Sequence, residues 1–284
     1  AYSTLLRADR RALHARVARA LEQTSPATVD TEPELLAHHF TEAGLEREAI
    51  PYLLRAGQRA GTRAAHQQAV RYLEQALALI ARLPDGAERD ALELNAQAMF
   101  GLSLAAGRSY ALPEVEHAYR RARVLCSRLG DEAAARFPVI RSGLVTYYLV
   151  RAQHRISDQL AQEFVRAAEN AIESGSPGNP ELIAYHIDAC RCLGYTRFFL
   201  GELEASHASL ERAIDLFQAH KDQALEFGTP ENPVLATLAV MPLVLWLLGR
   251  PAEALRRHQE GLAFAQQSNN PFNLAFVHSW ATVF

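Results

Sequence analysis

A turn residue followed at fixed distances by small side chains recurs along the chain. No other feature constrains the fold as tightly. The segments LLAHHFTEAGLEREAIPYLLRAG, CLGYTRFFLGELEASHASLERAI and LVLWLLGRPAEALRRHQEGLAFA align on Gly44, Gly201 and Gly249. Five positions after the glycine stand Ala49, Ser206 and Ala254, and twelve positions after it Ala56, Ala213 and Gly261. Between them Leu53 and Leu210 fill a larger slot, which His258 takes in the third copy, while Leu36 and Leu193 lie eight positions before the glycine. A glycine ends one helix because it accepts backbone angles that other residues resist, and small side chains on the next helix let two backbones approach. A hairpin of this kind cannot bury its apolar face alone, so the pattern predicts stacked hairpins.

The rest of the chain reads the same way. No stretch alternates with period two for long enough to form a strand, so the fold class is all-α. Helices are expected near 4–23, 33–43, 46–62, 66–82, 87–107, 114–129, 136–151, 155–174, 181–200, 203–220, 234–248, 252–267 and 271–284. Leu6, Leu13, Val17 and Leu21 give the first helix an apolar stripe, with Arg7, Arg10, Arg11, Arg16 and Arg19 largely on its wet face. TSPATVDTE reads as a loop, and Thr31, Pro33 and Glu34 as the start of the next helix. Val234–Leu248 is the most hydrophobic run, but it is too short to span a bilayer and carries Pro242, so it reads as a buried helix. Gly201 and Gly249 are 48 positions apart, more than a repeat of ~34 residues needs. The excess lies in Lys221–Pro233, where Leu225 and Phe227 predict a segment folded back on the core.

The spacing resembles the tetratricopeptide repeat, whose pattern runs L-G, aromatic, G, A, aromatic or Leu, then A. LGYTRFFLGELEASHASLERAI is the best copy, departing with Arg197 at an aromatic position and Ser206 for Ala. A weaker copy anchors on Ala152, with Tyr148 and Ser157 in the aromatic and small slots, and HQQAVRYLEQALALIAR matches a second helix alone. The resemblance implies a right-handed superhelix of antiparallel hairpins that binds protein partners. A longer resemblance rests on AYSTLLRADRRALHARVARALE, PELLAHHFTEAGLEREAIPYLLRAGQRA and LGRPAEALRRHQEGLAFAQQSNNPFNLAFVHSWA. Together these look like the C-terminal part of bacterial STAND-type signalling ATPases, which commonly carry a class III adenylate/guanylate cyclase or a protein kinase domain. That resemblance implies a linking helix in residues 1–30 after an ATPase module and a repeat domain in 31–284, cut from a longer array. It implies a cytoplasmic regulatory arm acting on its own ATPase or cyclase module or on a partner protein. The sensor arm of a STAND-type transcriptional activator, and a helical enzyme with an unrecognised pocket, are the alternatives.

Composition excludes other classes. A net charge of −3, with Lys221 the only lysine among 29 basic residues, does not supply the basic face that nucleic acid requires. Walker A, HExxH, GxSxG and CxxC motifs are all absent, so no catalytic residue and no cofactor are assigned. Three scattered cysteines make no disulfide framework and point to a reducing compartment. His186 and Cys190 share a helix face, but no second ligand pair accompanies them, and the rings of adjacent His38 and His39 are expected to diverge, so no metal site is assigned.

Binding is therefore placed on the groove side of the first helix of each hairpin. These positions are Glu34, His38 and Thr41 in the earliest copy and Asp188, Arg191, Tyr195 and Phe198 in the best one. The last copy offers Ala239, Leu243 and Trp246. Arg and aromatic side chains are favoured at contact hot spots. Burial against neighbouring helices is the competing reading for Tyr195, Phe198 and Trp246.

Overall fold

Five turns share one geometry. Gly44, Gly201 and Gly249 take left-handed backbone angles (φ 75°, 79° and 75°), and so do Ala64 and Ala152, each at φ 57°. At Gly44 the turn N–H donates to the Thr41 carbonyl and the next N–H, of Leu45, to Phe40. The same two bonds recur at Ala64, Ala152, Gly201 and Gly249. Together they satisfy carbonyls that the helix end leaves open, and they send the chain back as an antiparallel helix.

The computed structural model describes residues 6–24, 26–130, 137–175, 178–223, 225, 227, 232–267 and 271–282. These residues form helices and no strand. They divide into two compact units, residues 1–129 and 130–284. The first unit holds α1 (Arg7–Thr24), α2 (Pro26–Thr31), α3 (Pro33–Ala43), α4 (Glu46–Thr62), α5 (His66–Ile80), α6 (Ala87–Gly107) and α7 (Pro113–Leu129). Here α1 packs on α3, and each helix from α3 to α7 packs on the next. The second holds α8 (Pro138–Val150), α9 (His154–Ser174), α10 (Pro180–Leu200), α11 (Leu203–Ala219), α12 (Pro233–Leu247), α13 (Pro251–Gln267) and α14 (Pro271–Ala281). Its first helices also pack on one another, α8 on α10 and α10 on α12.

The small positions lie where the repeat requires them. Ala49, Ser206 and Ala254 are fully buried, as are Leu53 and Leu210 to within 2%. Two hairpins share a close approach between the residue seven before the turn and the one nine after it. A Cβ on Gly194 would come within 2.5 Å of Leu210, and one on Gly57 within 2.8 Å of Leu73. Counted from Ala64, Gly57 and Leu73 hold the same register as Gly194 and Leu210 from Gly201. Ala69 and Ala76, at plus five and plus twelve, are fully buried. So α4 and α5 form a further copy, and α4 serves both as the second helix of one hairpin and the first of the next. Where serine replaces alanine at plus five, its hydroxyl donates across the hairpin: Ser206 to the Gly194 carbonyl at 2.8 Å and Ser157 to Val145 at 2.9 Å.

Three expectations are corrected. Residues 26–31 form a helix instead of a loop, with Pro26 at its first position and Val29 packed against the core. Glu32, not Thr31, is the residue before α3, and Pro33 opens that helix. On α1 the buried stripe is His14 and Ala18 with Leu21 half-buried, while Leu6 and Leu13 are 74% and 41% exposed. Among the described residues α1 packs mainly on α2 and α3, which cover the face of His14 and Ala18.

The hydrophobic run agrees with its reading. The apolar run forms α12, buried from Pro233 to Leu245, with Asn232 capping its first turn and Asn179 doing the same for α10. Among the described residues no helix is long and apolar enough to cross a membrane. Leu225 and Phe227 lie half-buried against the second unit's core, while Gly228 and Pro230 of the same segment lie outside the described residues.

Candidate functional site

In the first unit α3 and α5 both rest on α4, and a groove of about 760 Å³ runs between them. Leu53 of α4 forms its base, buried by the hairpin packing described above. Leu35 from α3 and Tyr72 and Leu79 from α5 form apolar walls. Glu34, His38 and Thr41, placed on the groove side from the repeat register, all line it. They do so because positions three or four apart on a helix stack on one face. The Thr41 hydroxyl donates back to the Ala37 carbonyl at 2.7 Å.

The groove is also acidic. Glu32, Glu34 and Glu42 stand along the α3 side, and His38 is the one basic side chain among the lining residues. Four carboxylates elsewhere in this unit are engaged by arginines: Glu46 with Arg82, Glu88 with Arg47 at 2.7 Å, Asp30 with Arg55, and Glu93 with Arg121 at 2.6 Å. The Arg121 hydrogen bond holds the Glu93 carboxyl below its ordinary range. Among the described residues no such ion pair holds the three groove carboxylates.

The second unit disposes its assigned residues differently. Asp188 and Tyr195 are buried between α10 and its neighbours, and Leu243 is buried in the core of α12. The Tyr195 hydroxyl donates to the Ala236 carbonyl of α12 at 3.0 Å, and Phe198 lies half-buried in the same cluster. Arg191 pairs with Asp188 at 2.7 Å and lies 5.5 Å from the centre of the Tyr195 ring. Burial opposes the charge on Arg191, but Cys192, Asp188 and Tyr195 outweigh it and hold the guanidinium charged. The Tyr195 hydrogen bond joins α10 to α12, which pack directly on one another, while the Arg191 contacts to Asp188 and Tyr195 lie within α10. On α3, Glu34, His38 and Thr41 instead line the groove. Trp246 is 49% exposed at the end of α12, and Ala239 is buried.

Among the described residues no group of three or more His, Cys, Asp or Glu side chains could hold a metal ion. Burial pushes the Cys190 thiol up to about 12, so that cysteine is a packing residue and not a nucleophile. His38 and His39 do not diverge as expected: their ring centres are 5.4 Å apart, with His14 of α1 against both. The α5 wall, Tyr72 and Leu79, was not legible from reading residues 66–82 as a lone second helix. The Gly57–Leu73 register around Ala64 is the signal that reveals it.

No protein-family model matches the chain. An uncharacterized protein of Rhizobium meliloti (strain 1021) is 26% identical over 283 residues, covering 99% of this chain and 26% of its own length. The chain thus spans about a quarter of the curated relative it matches. Among solved structures, aspartyl phosphate phosphatase F from Bacillus subtilis superposes with a TM-score of 0.60 at 15% identity, over 92% of this chain and 64% of that one. NprR in complex with its cognate peptide NprX superposes with a TM-score of 0.57 at 12% identity, over 94% and 69%. At these identities the likeness is one of fold, and it agrees with the tetratricopeptide-like hairpins.

Proposed function

We propose that the chain is a non-catalytic protein-interaction region and that the groove of the first unit takes an extended or helical protein segment bearing both apolar and basic side chains. The observation that carries this is the groove itself. Leu35, Tyr72 and Leu79 offer apolar walls, and Glu32, Glu34 and Glu42 offer carboxylates held by no ion pair among the described residues. Apolar contact supplies affinity, and the acidic edge selects a cationic partner and speeds its approach. NprR, of similar fold, was solved with a bound peptide, which supports a peptide-like ligand. The parent is proposed to be a larger bacterial signalling ATPase, cyclase- or kinase-linked, in which the groove takes a segment of the parent or of a partner. The sequence resemblance supports this, as does a relative about four times the matched length. Three buried cysteines suit a reducing, cytoplasmic setting.

The test is selection of a random peptide library on the whole chain, with affinities of the selected peptides measured by fluorescence anisotropy. Selected sequences are expected to pair Arg or Lys with Leu or Phe. Their binding should fall at least tenfold in the Glu34→Lys/Glu42→Lys variant and weaken with added salt. Peptides that bind both proteins equally would refute the groove as the site.

A further inference from the structure

His14 of α1 meets His38 and His39 of α3 at the face where the first helix rests on the groove helix. The His14 and His39 Nδ1 atoms are 2.8 Å apart. The ring centres of His14 and His38 are 5.6 Å apart, and those of His14 and His39 5.0 Å. His14 is buried, His39 half-buried and His38 exposed on the groove. A nitrogen–nitrogen contact of this length holds one hydrogen: one ring donates and the other accepts. Two protonated rings would set two N–H groups face to face with no acceptor between them. Among the described residues no group of three or more His, Cys, Asp or Glu side chains could hold a metal ion, and these three histidines do not form one.

We propose that this cluster is a proton-operated latch, in which the neutral or singly protonated His14–His39 pair holds α1 on α3 and protonation of both rings releases it. The surrounding charges agree with this. On α1, Arg10 and Arg11 stand one turn before His14, and the Arg11 guanidinium lies beside Gly44 at the end of α3. On α3, Glu34 and Glu42 flank His38 one turn to either side, at the groove and not between the paired rings. On α2, Asp30 is engaged by Arg55, and on α4, Glu46 and Arg47 are engaged by Arg82 and Glu88. The influences on His39 are burial first and then His14 and His38, all of which disfavour its charged form.

The docked pair accepts one proton and the released pair two, so release takes up one proton. Freed histidines titrate near the ordinary value of about 6.5, so release gains about tenfold for each pH unit below that value. The test is hydrogen exchange of the full chain at pH 7.5 and 5.5, read as protection factors corrected for the intrinsic pH dependence. Protection across α1 is expected to fall about tenfold at pH 5.5, while α6 and α7 change by less than about twofold. In the His14→Gln/His39→Gln variant two amides exchange donor and acceptor at any pH, so the response should flatten. A pH response that persists in this variant, or unchanged α1 protection in the native chain, overturns the latch. Should the variant free α1 already at pH 7.5, histidine NMR of the native chain decides. A coupled pair with one step below the ordinary value supports the latch, and two independent ordinary titrations refute it.

Discussion

Replacing Gly194 by Ala puts the repeat geometry under direct strain. An ideal Cβ there would lie 2.5 Å from Leu210 Cδ2, 2.6 Å from its Cγ and 3.3 Å from its backbone nitrogen. Leu210 is fully buried, and Ser206, one turn before it on α11, donates to the Gly194 carbonyl. Rotating the end of the leucine is therefore insufficient, since Cγ itself must move and α11 is tied to α10. Alanine is a better helix former than glycine by about 0.8–1.0 kcal/mol. Overpacking a filled core costs about 1–3 kcal/mol. The balance runs from near zero to a net destabilisation of about 2 kcal/mol. Urea unfolding followed by circular dichroism should show a lower midpoint at unchanged slope. Leu210→Ala costs stability on its own, but it removes the obstructing atoms, so the double variant should lose less than the sum of the two. The coupling is expected to be about 1 kcal/mol. If Gly194→Ala stabilised the chain, or if the two changes were additive, the close approach of α10 and α11 would not be what fixes glycine at this position.

Three further outcomes follow from the second unit. Tyr195→Phe removes the hydrogen bond to Ala236 that ties α10 to α12, and urea unfolding should show a loss of about 1 kcal/mol. Cys190 should resist iodoacetamide in the native chain at pH 8 and react once unfolded, because burial holds its thiol up near 12. Burial, then the Arg212 charge, lowers His186 against a weaker opposing effect of Glu169. The unfolded chain therefore binds more protons there as pH falls below about 6.5, so stability is full above that value and declines as pH drops through the depressed one. The expected loss is up to about 1.4 kcal/mol per pH unit, and His186→Gln should reduce that slope.

The hairpins were legible because their spacing is set by backbone contact, which leaves a strict mark in sequence. Gly44, Gly201 and Gly249 declared their turns, since a left-handed residue favours glycine. Ala64 adopts the same backbone with no such sign, and the hairpin of α4 and α5 was only half visible for that reason. One wall of the groove could thus be read and the other could not. Glu34, His38 and Thr41 follow from helical register alone. In the second unit the same register positions hold Asp188, Tyr195 and Leu243, which are buried because α10 and α12 close on one another there. Whether successive first helices touch is a matter of packing, and periodicity on a single helix does not encode it. The histidine cluster was hidden likewise: His14 is 24 residues from His38, and only the docking of α1 brings them together.

Entry of partner segments between α3 and α5 is open to hydrogen exchange of the whole chain with and without a selected cationic, apolar peptide. Protection should rise in α3 and α5, around Glu34–Glu42 and Tyr72–Leu79, and stay unchanged in α10 and α12. Protection appearing in the second unit, with α3 and α5 unaffected, would contradict it.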